Sequence, residues 1–481
     1  MIDEILCSVG PGEIRVALME GGRLVEFAVE RAAERDIVGN IYLGRVQSVV
    51  PSINAAFVDI AIGRDGFLPL EGRRRGQAPD AATGAPQVNE GAAILVQVDK
   101  AAQGDKGAAL TLAPTLAGHA LVFVPGGEGV NISRRIGDET ARNRIAATVE
   151  AVVAEMMAAD HTIAGGYIVR TAAMETDQAA FAAEARELAA KWENIQARVK
   201  LAEAPALVHA EPDLFTRVLR DHGGDAIRRI KADDTAPIAQ AQDHFHGAAT
   251  APMIEHYMGE EPLFESAGVE DELETALGPR VSLPGGGAIV IEATEALCAI
   301  DVNSARHGGG NPDGVALEVN LEAAKEIARQ VRLRNIAGLI VIDFIHMKDA
   351  GHLDRVHGEL ATALNGDAAL ARLGGFTELG LVELARRRRG VPLAQLFMVT
   401  CEACEGEGLE PAPGAVAYHA LAELAREATH HPGANATVVA VPEVTAVLRA
   451  DAAGAVDALA NTIGAKVTFK DAPERAIDDF D

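Results

Sequence analysis

The chain has 481 residues, 48% hydrophobic and 23% charged, enough for several domains with cores of their own. Its 70 acidic residues outnumber 43 lysines and arginines and leave a net charge of −27, which excludes a general attraction to nucleic-acid phosphates, since that needs a basic surface. No apolar run approaches a membrane-spanning length, and the start MIDEILCSVGPGEIRV lacks a basic-then-apolar leader. The four cysteines are too few for a disulfide framework, so a cytoplasmic location without membrane contact is expected.

EIRVALMEGGRLVEFAVER alternates in strand fashion up to about Arg35, with Gly21-Gly22 as a hairpin turn. From Asp36 to about Leu116 short strands are separated by Gly and Pro, centred on GNIYLGRVQSVVPSINAAFVDIAIGRDGFLPL, and this spacing predicts a small barrel. Read alone, Phe57 and Phe67 in these strands are core residues. From Leu116 to about Val208, VFVPGGEGVNISRRI and GGYIVRTAA read as strand–turn segments around a helix over Glu139–Met157. A second helix, with Trp192, runs over Thr176–Leu201. Arg170 and Thr171 end a strand; read alone, such a pair is more often an ordinary surface pair than a phosphate site, although an arginine can grip phosphate at two points while a threonine hydroxyl reaches a third oxygen. Pro205 to Leu277 holds LVHAEPDLFTRVLRDH, AIRRIKAD and an acidic helix around Glu270–Ala276.

The most informative stretch is Ala288 to Met347. Ala288–Glu292 and Leu297–Val302 form a hairpin split at Thr294-Glu295, and a glycine-rich loop follows from Ser304 to Gly314. Val315 to Arg334 carries Leu317, Leu321, Ala324, Ile327, Ala328 and Val331 at helical spacing. Gly338–Phe344 is an unbroken apolar run, expected to be a strand buried on both faces. Asp301 and Asp343 then end parallel strands, where open α/β sheets bind ligands. Two carboxylates closing apolar strands are costly to desolvate without a positive partner. Magnesium, which accepts one or two carboxylates and keeps its waters, suits them, and Asn303 can orient a water or a phosphate oxygen. On spacing alone, helix-capping and turn-closing roles for the two aspartates stay open. A second helix is expected over His352–Leu364.

Cys401 and Cys404, with Gly406 and Gly408, form a knuckle that presents two thiolates. Structural zinc takes four ligands, and Cys7 and Cys298 read as core, so one knuckle per chain suggests a zinc shared across a two-fold axis; a redox pair or two free thiols are the alternatives. Ala415–Ala428 is helical, HHPGAN breaks the chain, and Thr437–Lys470 reads strand, helix, strand. Arginine clusters at Arg73–Arg75, Arg134-Arg135, Arg228-Arg229 and Arg386–Arg389 are candidate phosphate contacts or solvated faces paired with acids.

AIDVNSA, NLEAAKEIARQVRLRNIAGLIVIDFI, TELGLVELARRRR and CEACEGEG together resemble the catalytic core of the ribonuclease E/G family, bacterial endoribonucleases that cut single-stranded RNA. The likeness continues into the amino-terminal half and is closest to the shorter G-type members, as Glu378 in place of an E-type Arg also suggests. The resemblance implies an α/β multidomain chain. Residues 1–35 with 205–277 would form a discontinuous ribonuclease-H-like domain without a catalytic site of its own. Into it are set an OB-fold RNA-binding barrel (36–116) and a 5′-monophosphate sensor region (117–204). A DNase I-like catalytic domain (278–399), a zinc-link (400–414) and a small α/β carboxyl-terminal domain (415–481) follow.

By the same resemblance Asp301 and Asp343 hold catalytic magnesium with Asn303 assisting. Phe57 and Phe67 stack on bases beside Lys100 and Lys106, while Leu43 stands where a basic residue is common. Arg170, Thr171 and Val130 form the phosphate sensor, and Cys401 and Cys404 share zinc with a partner chain in a dimer or tetramer. The implied activity is cleavage of A/U-rich RNA, in rRNA precursors and mRNA, stimulated by a 5′ monophosphate and leaving 5′-phosphate products. His346 departs from the Asp usual there, which touches the surroundings of the metal pair. A non-catalytic RNA-binding and assembly protein, built on the barrel and the zinc-linked dimer, is the competing reading.

Overall fold

The computed structural model describes residues 2–70, 88–102, 107–133, 136, 139–159, 165–224, 226–246, 250–304, 312–365, 367, 369–400 and 409–481. They fold as two compact units, Met1–Glu34 with Ala226–Asp481, and Arg35–Asp225. Among the described residues no helix is long and apolar enough to cross a membrane.

The first unit opens with an antiparallel meander, β1 (Glu4–Gly10), β2 (Glu13–Glu20) and β3 (Arg23–Arg31). Gly21 and Gly22, at φ 57° and 77°, make the left-handed turn between β2 and β3 that L-residues with a Cβ resist.

The second unit starts with the barrel: β4 (Ile41–Val50), β5 (Ala55–Asp59), β6 (Gly66–Pro69), β7 (Ala93–Lys100) and β8 (Ala109–Thr111), closed by β4 against β7. Tyr42, Val46, Val58, Ile60, Leu68, Val96, Val98 and Leu110 fill it. An added Cβ on Gly44 would lie 2.5 Å from Val58, so glycine is required where the barrel wall curves over that side chain. Next comes a four-stranded sheet of β9 (Leu116–Ala117), β10 (Leu121–Pro125), β11 (Val130–Ile132) and β12 (Gly165–Val169). Helices α1 (Glu139–Ala159) and α2 (Gln178–Leu201) share its core around Phe123, Tyr167 and Phe181, and Asp177 caps α2 through the Ala180 N–H. The short strand β13 (Ala206–His209) pairs antiparallel with β4, and α3 (Leu214–His222) follows. The segment expected to leave this unit at residue 205 therefore first adds a strand to the barrel sheet.

Back in the first unit, β14 (Arg229–Ala232) runs parallel to β1, with Cys7 opposite Ala232; α4 (Thr235–His244) then leads to β15 (Met253–His256), parallel to β14. The sheet order is β15-β14-β1-β2-β3. At the end of β14 the half-buried Asp233 carboxylate accepts from Ser8 Oγ (2.7 Å) and the Val9 N–H (2.8 Å), so its oxygens are occupied in closing the β1 edge. Helices α5 (Leu263–Ser266) and α6 (Val269–Leu277) lay Phe264, Val269 and Leu273 on Leu6, Met19 and Leu24 of the meander.

A six-stranded sheet contains β16 (Arg280–Ser282), β17 (Ala288–Ala293) and β18 (Leu297–Asn303), then β19 (Gly338–Asp343) after helix α7 (Pro312–Leu333). Helix α8 (Ala350–Ala363), β20 (Leu370–Phe376) and β21 (Leu381–Arg386) complete it in the order β16-β17-β18-β19-β21-β20. Helices α7 and α8 cover one face: Ile300, Val302, Ile340, Ile342, Val382 and Leu384 meet Leu317, Ala324, Ile327, Val331, Val356 and Leu360. The other face is open, which corrects the expectation that Gly338–Phe344 is buried on both sides. Leu339 is 60% exposed while its neighbour Ile340 is 1% exposed. Helix α7 begins at Pro312, so Gly314 belongs to it rather than to the loop before it.

Helix α7 is also tied to the meander. Arg329 Nη1 donates to Leu24 O at 2.6 Å, Arg332 pairs with Glu26 at 2.8 Å, and Arg23 pairs with Glu272 of α6 at 2.7 Å. After α9 (Leu393–Phe397), strands β22 (Met398–Thr400) and β23 (Leu409–Pro411) pair on either side of residues 401–408. The chain ends in α10 (Pro413–His430), β24 (Ala436–Ala440), α11 (Pro442–Arg449), α12 (Ala453–Ile463) and β25 (Val467–Asp471). Two helices, not one, thus separate the parallel strands β24 and β25.

Candidate functional site

Strands β18 and β19 run parallel in a register that ends with Asp301 opposite Asp343. Neighbouring strands lie about 4.8 Å apart, so the two carboxylates leave adjacent backbone positions. Alternation decides their direction: Ile300, Val302 and Ile342 point into the helix-covered core, and Asp301, Asn303 and Asp343 are exposed on the open face. Asn303 Nδ2 donates to Asp301 Oδ2 at 2.5 Å, which fixes the rotation of that carboxylate. Two like charges this close repel unless a cation shares them. Hard anionic oxygens from two side chains, with an amide alongside and water access above, form a donor set that fits magnesium. Among the described residues no group of three or more His, Cys, Asp or Glu converges.

Helix α7 holds the surroundings of this pair. Asn320, fully buried, donates from Nδ2 to Ile345 O (2.8 Å) and accepts the Ile345 N–H on Oδ1 (3.0 Å). Glu322 accepts the Gly285 N–H at 2.7 Å, and Asp313 accepts the Lys348 N–H at 3.1 Å. Phe344 and Met347 of the same exit loop are buried, while His346 is exposed between them.

In the barrel, Phe57 and Phe67 face each other across β5 and β6, with ring centroids 6.0 Å apart at 69°. Both are half-buried while Ala56, Val58 and Leu68 are buried, so the two rings lie on the outer side of the wall. Lys100, at the end of β7, is exposed; Lys106 lies outside the described residues.

Arg170 and Thr171 sit together past the end of β12, with Thr171 opening a 3-10 turn, Thr171–Glu175. Val130 is level with Tyr167 on the neighbouring strand, three residues short of Arg170. The Arg170 guanidinium donates to Gly118 O (2.5 Å) and to Asp221 Oδ1 (2.8 Å). Asp221 also receives Arg220 Nε at 3.2 Å. Burial pushes the Asp221 carboxyl upward, but Arg220 and then Arg170 outweigh it and hold the group below the usual carboxylate range.

A profile of the Ribonuclease E/G family matches residues 115–389. The chain is 35% identical to Ribonuclease G of Escherichia coli (strain K12), over 100% of this chain and 99% of that protein. The chain belongs to the ribonuclease E/G family. Ribonuclease G of Haemophilus influenzae is 36% identical over 88% of this chain and 87% of its own length. Ribonuclease E of E. coli is 38% identical over 82% of this chain and 38% of its own length.

Within this family member several sequence candidates fare differently. Arg386 is spent on structure: Nε meets Asp367 Oδ2 at 2.7 Å, with the two side chains 6% and 4% exposed. That removes it from the arginine cluster, while Arg387–Arg389 are exposed. Arg229 lies 3.6 Å from Glu4. Arg73–Arg75, Arg134, Arg135, Cys401 and Cys404 fall outside the described residues. Cys7 and Cys298 are buried, and desolvation pushes the Cys298 thiol up to about 11, which leaves it inert. Asn320 escaped sequence reasoning, although its signal was present: one amide on the buried stripe of α7, between Leu317 and Ala324.

Proposed function

We propose that the chain is a magnesium-dependent endoribonuclease of the ribonuclease E/G type, cleaving single-stranded, A/U-rich RNA in rRNA maturation and mRNA decay. The reading is carried by one observation: Asp301 and Asp343 are register partners on the open face of a sheet in a chain similar to ribonuclease G along its whole length. Asp301 and Asp343 would hold the metal, and Asn303, which donates to Asp301 Oδ2, would restrain that carboxylate. Magnesium, when bound, activates a water and offsets charge on the scissile phosphate. The open face admits the RNA backbone and the attacking water, and the products carry a 5′ phosphate and a 3′ hydroxyl.

The finer organisation follows the same family reading. The mixed sheet β15-β14-β1-β2-β3 supports a ribonuclease-H-like domain, and the six-stranded sheet with α7 and α8 a DNase I-like one. Arg170 and Thr171, with Val130 as a wall, recognise a 5′ monophosphate, and Cys401 and Cys404 share zinc with a partner chain.

Barrel binding rests on Phe57 and Phe67. Replacing either with alanine weakens binding of single-stranded RNA, read by fluorescence anisotropy, by about 1–3 kcal/mol. The rings touch each other, so the double variant loses less than the sum.

The experiment that tests the function compares one oligoribonucleotide with a 5′ monophosphate or a 5′ hydroxyl, in magnesium. Cleavage is expected on both, faster on the monophosphate, with Arg170→Ala collapsing the difference. Binding without cleavage would instead identify a non-catalytic RNA-binding protein.

A further inference from the structure

We propose that Asn320 is the positioning residue of the Asp301–Asp343 pair, its amide fixing the backbone beyond Asp343 and so the aim of that carboxylate. The inference rests on the reading of these aspartates as the metal-holding pair. Strand β18 continues for two residues past Asp301, to Asn303, which pairs with Ala288; β19 ends at Asp343 itself. Asp301 is therefore held by a ladder on both sides of its position along the strand. Asp343 is the last rung, and its direction depends on how the chain leaves the sheet.

Besides the Asp313 contact to the Lys348 N–H farther along, two contacts set that exit. Phe344 and Met347 are buried in the core under α7 and α8, which fixes where the loop lies but not how its peptide planes rotate. Asn320 supplies the rotation: both ends of one side-chain amide engage both polar groups of Ile345, two residues beyond Asp343. A buried amide is costly unless satisfied, and the hydrogen bonds of this one, as donor and as acceptor, both go to Ile345. A helix built only for core packing would carry an aliphatic side chain at this point of its stripe.

The test uses full-length protein carrying Asn320→Leu, which keeps the bulk and removes both hydrogen bonds, or Asn320→Asp, which keeps the shape and the acceptor. Mn2+ binding in the absence of RNA is followed by water-proton relaxation, alongside single-turnover cleavage, RNA affinity without metal, and thermal melting. Mn2+ affinity and cleavage rate are expected to fall together by about 10–100-fold, as for residues that orient metal ligands, with RNA affinity unchanged. Should Asn320→Leu fail to fold, Asn320→Asp decides. Folded variants with wild-type Mn2+ affinity overturn the proposal, as does a parallel loss of RNA affinity, which marks general damage. An Asp343→Asn control that binds Mn2+ and cleaves like wild type overturns the metal reading, and the proposal with it; a control that loses Mn2+ binding and cleavage beside unaffected Asn320 variants overturns the proposal alone.

Discussion

Replacing Asp301 or Asp343 with asparagine is expected to lower the single-turnover cleavage rate in magnesium by about 10³-fold or more. A metal site supplies several kcal/mol of charge stabilisation, and about 1.4 kcal/mol corresponds to a factor of ten. Asparagine keeps the shape and discards the anionic oxygen, so the β18–β19 ladder and the affinity for RNA are left nearly intact. Without metal each variant should melt no lower than wild type, because it removes one of two like charges on adjacent strand positions. Cleavage by Asp301→Asn at the wild-type rate would separate the pair from the chemistry.

The second large effect is structural. Arg386→Ala should destabilise the first unit by about 3–5 kcal/mol, since it strands the buried Asp367 carboxylate. Arg386 also donates to Ile336 O at 2.8 Å and to Asn335 Oδ1 at 3.2 Å, in the turn that joins α7 to β19. Asn335 there has φ 50°, a left-handed residue this arginine helps to hold. Replacing both partners with apolar residues of similar volume is expected to recover much of the loss, a contrast visible in thermal melts. If Arg386→Ala melts like wild type, the pair is not the clasp its burial implies.

Local pattern made part of this molecule readable. The apolar spacing of α7 and the strand runs beside it were enough to bring Asp301 and Asp343 to neighbouring strand ends, because helix and strand periods are properties of a few consecutive residues. Partner choice is not local. Nothing in the alternation of residues 4–10 says that their parallel neighbour is residues 229–232, and the four residues of β13 give no sign that they complete a barrel sheet. The apolar run at 338–344 misled for a related reason: Leu339 and Val341 share a face with Asp343, and a face open to solvent can carry apolar residues. Arg386 looked like part of a basic tract because adjacency hides alternation, and it turns inward at the end of β21 while Arg387 to Arg389 stay outside. Asn320 is hidden in the sequence because a helical stripe is read by its apolar members.

The pairing of β1 with β14 also sets a timetable for biosynthesis. The meander emerges from the ribosome before residues 35–225, but its parallel neighbour β14 and its covering helices α5 and α6 are encoded some two hundred residues later. Residues 35–225 can complete their own core in that interval, since the strands and helices they need are all contained between those limits. The nascent meander meanwhile presents Leu6, Met19 and Leu24 uncovered, together with an unpaired β1 edge, and this is the stage of synthesis at which a chaperone has most to shield.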